Sequence, residues 1–221
     1  MALVETWRLL LLYGQGEIPE PTRVIAAVQN CDHGAVYRAE RGPFGEAAKA
    51  LNIDPLDLDL SGRIAIDVSL GEAHSVLTEI AQELGGMAYL CRGREPLKLG
   101  LEVGETFQGS LQLACLRRRD SLSDEAFQQR WFDDHTQIAI ETQGTLGYRQ
   151  NWVHWTNSLH WDGLVEEYFP TSAATSPECF FGAEGDPALM QANIEKLMAS
   201  CERFLDLSGT TAIHLTETRL L

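Results

Sequence analysis

Twice along this 221-residue chain the hydrophobic period switches in the same order: strand, helix, strand, strand, helix, strand. An apolar period of two marks a half-buried strand and a period near 3.6 an amphipathic helix. In the first half, residues 7–13 form an apolar run of strand length, stopped by Gly14 and Gly16. Residues 21–29 read as a short helix with Pro21 at its first position and Val24, Ala27 and Val28 on one face. Residues 34–39 are a second strand. Residues 63–69 alternate Ile64, Ile66 and Val68 against Arg63, Ala65 and Asp67, a third. Residues 71–84 carry a helical stripe of Ala73, Leu77, Ile80, Ala81 and Leu84, broken by Gly85-Gly86, and residues 87–92 are a fourth strand. Between these elements, residues 41–60 read as a long loop with a helical turn at 46–51. A polar connector is expected at 93–105.

The second half gives a strand at 107–116, a helix at 123–143 and two strands at 148–155 and 160–169 joined by Thr156-Asn157-Ser158. A loop rich in Ser, Pro and Gly follows at 170–186, then a helix at 187–205 and a strand at 211–219. Each copy is the split-βαβ, ferredoxin-like plan. The expected fold is α+β, with two tandem ferredoxin-like repeats over residues 1–104 and 105–221. Their antiparallel sheets, bare on one face, are expected to pack as an intramolecular dimeric α/β-barrel.

The helix at 123–143 holds the residues with the clearest chemical identity. Ser123 is a good N-cap, and Asp124 and Glu125 complement the helix dipole. Phe127, Trp131, His135 and Ile138 share one face, Arg130 and Asp134 are spaced to pair, and Gly144 offers a left-handed stop.

A formal charge of -15 argues against nucleic acid and anionic membranes as partners, since both need a basic face. The apolar run at 9–12 lacks the flanks of a signal peptide, and no stretch reaches the length of a membrane span. The five cysteines are odd in number, widely spaced and without a CxxC pair, as expected of thiols in a reducing compartment. A cytoplasmic protein is expected. No GxSxG, phosphate loop, HExxH or dinucleotide fingerprint is present, so no cofactor is expected.

The second half resembles the EthD-like proteins of the dimeric α/β-barrel superfamily. The resemblance runs through Arg118-Arg119, Leu122-Ser123, EAFQQRWFDDH (125–135), GYRQNWV (147–153), DGLVEEYF (162–169) and RFLDLSGTTAIHLTE (203–217). Thr136-Gln137 stand where the family commonly has a small residue and proline, and Trp152 where it often has histidine. The resemblance implies a cavity between sheet and helices for a small aromatic or apolar molecule. Its members include polyketide dehydratases and cyclases, cofactor-independent monooxygenases, haem binders and stress-associated proteins.

His135 is the expected catalytic acid or base, since an imidazole titrates near neutrality. Trp131 is expected to stack on a flat guest, with Asn151 and Tyr168 as polar anchors. His214 alternates against Ile213 and Leu215, on a face that the pattern leaves undecided. His154, His160 and Asp162 flank the hairpin and merit a check as metal ligands, although no metal site is expected. Trp152, Trp155 and Trp161 suggest cross-strand aromatic pairing. The expected function is cofactor-independent proton transfer on an aromatic or polyketide-like substrate, of dehydratase, cyclase or monooxygenase type. The rival is a non-catalytic ligand binder or stress-associated protein, and a haem protein is a third reading. A monomeric pseudo-dimer and a homodimer both suit the repeat.

Overall fold

Leu9, Leu10, Leu11 and Leu12 are all buried although they alternate in direction, because both faces of their sheet are covered. Leu10 and Leu12 pack inside a barrel with residues from all eight strands, such as Ala65, Tyr89, Leu113 and Ile213. Leu9 and Leu11 pack outside it against Val24, Val28, Leu77 and Ile80 of two helices.

The computed structural model describes residues 6–14, 16, 18–42, 52–68 and 74–221. The strands are β1 (Thr6–Tyr13), β2 (His33–Glu40), β3 (Gly62–Val68), β4 (Met87–Leu97), β5 (Ser110–Leu116), β6 (Gly147–Thr156), β7 (Gly163–Phe169) and β8 (Thr211–Arg219). They close in the order β1-β3-β2-β8-β5-β7-β6-β4, with every pairing antiparallel. Within that ring β4-β1-β3-β2 and β8-β5-β7-β6 are the same strand order twice, the tandem ferredoxin-like arrangement. The seams are β2 with β8 and β4 with β6. Helices α1 (Pro21–Val28) and α2 (His74–Leu84) cover the first sheet. The second is covered by α3 (Asp124–Gln129), a π-helical segment (Arg130–His135), α4 (Thr136–Thr142), α5 (Pro177–Phe180) and α6 (Pro187–Cys201).

The barrel interior also holds charge. Arg8 bonds Asp67 (2.5 Å) and Glu166 (3.1 Å), Arg63 contacts both Glu166 and Glu217, and Arg149 reaches Glu95 (3.0 Å) and Glu217 (3.5 Å). Arg8 and Arg63 come from the first half and their shared carboxylates from the second. The ion pairs therefore fix one half against the other.

Several local expectations change. β4 runs five residues past Arg92, because its partner β6 continues to Tyr148, opposite Leu97. The single helix is broken by the π segment. Gly144 takes no positive φ; its lack of a side chain matters because a Cβ there would lie 2.6 Å from the Cys179 carbonyl. Asp134 pairs with Arg203 (2.5 Å), not with Arg130. The loop at 170–186 contains a 3-10 turn (Thr171–Ala174) and α5. The three hairpin tryptophans separate. Trp161 packs inside the barrel with Tyr89, Trp152 under the second helix layer, and Trp155 under the first. The helical turn expected at 46–51 lies outside the described residues.

Candidate functional site

Ser123 caps α3 by accepting from the Ala126 amide (3.2 Å), as its side chain and position require. The chain then widens into the π segment. The Thr136 amide returns to the Trp131 carbonyl five residues back, and the Thr136 hydroxyl donates to the same oxygen (3.0 Å). That hydroxyl also accepts from Gln150 Nε2 (2.9 Å), tying the widened turn to β6. Trp131 and His135 both point inward and are buried. The Trp131 ring lies over Gly163, where a Cβ would come within 2.5 Å of it.

Between this helix layer and the outer face of the second sheet lies a cavity of about 360 Å³. Trp131, His135, Phe180, Phe181 and Phe204 contribute aromatic walls. The exposed side chains of Ile53, Met198 and Leu207 lie at its rim. No lysine or arginine lines it among the described residues.

Among the described residues the roof carries one titratable ring. His135 Nδ1 meets Ser200 Oγ at 2.9 Å, and its ring packs on Phe204 at 4.9 Å. Nε2 is the nitrogen left for a guest. Burial, with a contribution from the Arg203 charge, drives the imidazole down to about 4, so it is neutral at physiological pH.

The floor carries a polar row. Tyr148 on β6 stands opposite Glu167 on β7, Glu167 opposite Gln112 on β5, and Gln112 opposite His214 on β8. All four line the cavity. Glu167 is 6% exposed, and Gln143 donates to its Oε1 (3.1 Å) with the amide oriented by that contact and by Ala139 O (3.2 Å). Burial pushes the carboxyl up to about 8, with the Gln143 bond opposing. His214 Nδ1 meets Ser110 Oγ at 2.7 Å, and burial lowers its imidazole to about 4.

Of the four residues singled out from the sequence, His135 and Trp131 share this cavity, whereas Asn151 and Tyr168 point the other way. On β6 and β7 successive side chains alternate. Asn151 and Tyr168 therefore enter the barrel, where Asn151 Nδ2 donates to Glu166 (3.1 Å) and Leu164 O (3.1 Å), and Tyr168 donates to Glu217 (2.7 Å). Their neighbours Gln150 and Glu167 face the helices. Sequence reasoning missed Glu167, Gln112 and Gln143; the signal for Glu167 was a carboxylate pair, Glu166-Glu167, inside an apolar strand. His214 proves to be on the cavity side.

His160 lies 3.5 Å from Asp162, while the His154 ring packs against Trp7 and Trp152. Among the described residues no group of three His, Cys, Asp or Glu is placed to hold a metal, and no helix is long and apolar enough to cross a membrane.

Residues 119–208 match the family model of the EthD domain. No curated protein matches the chain by sequence. Among solved structures the chain is similar to one titled an anthrone oxidase-like protein, at 8% identity and a TM-score of 0.55, covering 99% of this chain and 97% of that one. It is also similar to a proposed monooxygenase from Fusobacterium nucleatum subsp. nucleatum, at 9% identity and a TM-score of 0.48, covering 100% and 94%. The first of these likenesses is one of fold.

Proposed function

We propose, from the match of residues 119–208 to the EthD domain and from the closed α/β-barrel that holds them, that the cavity is the active site of a cofactor-independent small-molecule enzyme. The substrate is a neutral aromatic or polyketide-like molecule, held between the sheet floor and the helix roof. His135 is the proton acceptor and Trp131 a fixed wall. The observation that carries this reading is a neutral imidazole on an aromatic-lined cavity of ligand size, with no cation among its described lining residues.

The chemistry begins with a proton. In the tautomer whose Nδ1–H donates to Ser200 Oγ, Nε2 offers a lone pair to a guest. Held down to about 4, Nε2 is a weak base and takes a proton from an enolisable carbon or phenolic hydroxyl whose acidity a hydrogen bond to the guest's oxygen has raised, leaving an enolate or phenolate with the imidazolium as its counter-ion. Loss of water, ring closure or attack on dioxygen each starts from that species. Dehydratase, cyclase and monooxygenase outcomes therefore share this first step. Asn151 and Tyr168 take no part in it; they belong to the charged lattice between the two repeats, residues 1–104 and 105–221, that we propose as the chain's units.

Anthrone is a suitable test compound, being a neutral tricyclic ketone with an acidic methylene and the substrate class printed for the fold neighbour. Oxygen uptake and product analysis with wild type and His135→Gln test the reading. Turnover in wild type that drops at least about 100-fold in the variant supports it. Tight binding with no conversion of anthrone or of related hydroxylated ketones would instead favour a ligand-binding protein.

A further inference from the structure

We propose that the floor row Tyr148–Glu167–Gln112–His214 selects oxygenated, uncharged guests, with Glu167 present as a neutral carboxylic acid that donates a hydrogen bond to a guest carbonyl or hydroxyl oxygen. This rests on the reading of the cavity as a small-molecule site and deepens it by naming what the floor recognises.

The geometry comes first. Four polar side chains on four adjacent strands form one line across the sheet, about 4.8 Å apart from strand to strand. Side chains at paired positions in adjacent strands share a face, and here that face is the cavity floor. Outside this line the floor is largely apolar, with Ala114, Leu116, Val165 and Ala212. Within the row Gln112 Nε2 and His214 Nε2 meet at 3.4 Å, so the second Glu167 oxygen is the group that a wholly hydrocarbon guest would cover without returning a hydrogen bond, at a cost in affinity. A guest with oxygens facing the row avoids that cost.

Glu167 decides the charge preference. Its Oε1 accepts from Gln143, which leaves the second oxygen for a guest. No cation lines the cavity among the described residues, and the charged groups of the packing helices pair at the surface instead: Lys196 with Glu141 (2.8 Å) and Asp134 with Arg203 (2.5 Å). Glu178 and Glu184, on the segment that carries Phe180 and Phe181, are exposed. An unpaired carboxylate in such a site is unfavourable, whereas a carboxylic acid is a good donor. An anionic guest finds no lysine or arginine among the described lining residues and both imidazoles neutral, so a carboxylate group is disfavoured.

The other titratable groups facing Glu167 are Tyr148 on β6, Cys201 on α6, His135 on the roof and His214 on β8. Burial raises the tyrosine and pushes the Cys201 thiol up to about 12, while both imidazoles are lowered to about 4. Between pH 5 and pH 10, Glu167 is therefore the group of this set that changes charge.

Binding of three probes with related fused rings tests the proposal: 9-fluorenone, fluorene and 9-fluorenone-2-carboxylate. None of them changes charge between pH 6 and pH 9, and quenching of tryptophan fluorescence reports their Kd. For wild type, fluorenone should bind best at pH 6, about fivefold or more above fluorene and well above the carboxylate. Its Kd should rise about tenfold by pH 9 as the acid form is depleted. Glu167→Gln, which keeps a neutral donor, should hold the pH 6 affinity at pH 9. An infrared difference spectrum between the two proteins at pH 7 should show a protonated-carboxyl carbonyl band lost in the variant. Binding of fluorenone that ignores pH in wild type, or absence of that band, overturns the proposal. Failure of all three probes to bind, with the band present, overturns the cavity reading itself and takes guest recognition with it.

Discussion

Replacing Glu167 with glutamine should make the protein more stable at neutral pH, and the gain should grow as pH rises. The carboxyl is 6% exposed, accepts one hydrogen bond from Gln143, and is pushed by burial from 4.5 up to about 8. In the unfolded chain it ionises near 4.5; in the folded chain it keeps its proton until about pH 8. Between those values the folded state holds more protons than the unfolded state, so stability falls as pH rises. The contribution is whole below 4.5 and lost once pH passes 8. Each pH unit inside the window is worth about 1.4 kcal/mol, which makes the loss at pH 7 about 3 kcal/mol. Glutamine keeps the carbonyl that accepts from Gln143 but turns an amide NH₂ toward the cavity, at a cost of about 1 kcal/mol.

The balance is a gain of about 2 kcal/mol for Glu167→Gln at pH 7 and a loss of about 1 kcal/mol near pH 4.5. Urea unfolding followed by tryptophan fluorescence, run on both proteins at pH 5, 6, 7 and 8, gives the difference directly. Every other titration is common to the two proteins and cancels. A difference that stays constant across this range would refute the reasoning, because it would mean that Glu167 ionises alike in the folded and unfolded chains.

His135→Gln should lower kcat at least about 100-fold with little change in KM, while the lost Ser200 contact costs about 1 kcal/mol in urea unfolding. Both cavity imidazoles are lowered to about 4, so their stabilising contribution is present above 6.5 and lost as pH falls toward 4; wild type should therefore lose about 3 kcal/mol per histidine over that range, and His214→Gln should remove one share in the same urea assay. Gly163→Ala sets a methyl 2.5 Å from the Trp131 ring and should destabilise by about 1–3 kcal/mol, with a shifted tryptophan emission as the ring moves. Glu166→Gln deprives Arg8 and Arg63 of their shared carboxylate and should cost about 3–5 kcal/mol, measured in the same way.

Element order was legible because it depends on period, and period survives burial at one face. The strand at 63–69, the helix at 21–29 and the strand at 211–219 lie within two residues of β3, α1 and β8. Tandem repeats then left few ways to cover two apolar sheet faces, and a barrel closed by β2–β8 and β4–β6 is one of them. The π segment was not legible. Its widened turn depends on the Thr136 hydroxyl finding both Trp131 O and Gln150 Nε2, a tertiary arrangement that no spacing along the helix reports.

The direction of the side chains on β6 and β7 was harder, for a physical reason. A strand covered on one side displays its inside as an apolar alternation. A barrel strand covered on both sides has two insides, and every residue of β7 is buried. Nothing in Leu164-Val165-Glu166-Glu167-Tyr168 separates the residues that face the barrel from those that face the cavity, so Tyr168 was as good a candidate as Glu167. The two adjacent glutamates show how much that choice matters. Burial penalises both, but Arg63, Arg8 and Arg149 pull Glu166 down to about 2, whereas Glu167, bonded among the described residues by the Gln143 amide, rises to about 8. One is a charged tie between halves, the other a neutral acid on the cavity floor. The same substitution, Glu to Gln, is thus expected to act in opposite senses at neighbouring positions. Reversed senses, with a gain at 166 and a loss at 167, would mean that the strand sits one residue out of this register, with barrel and cavity faces exchanged.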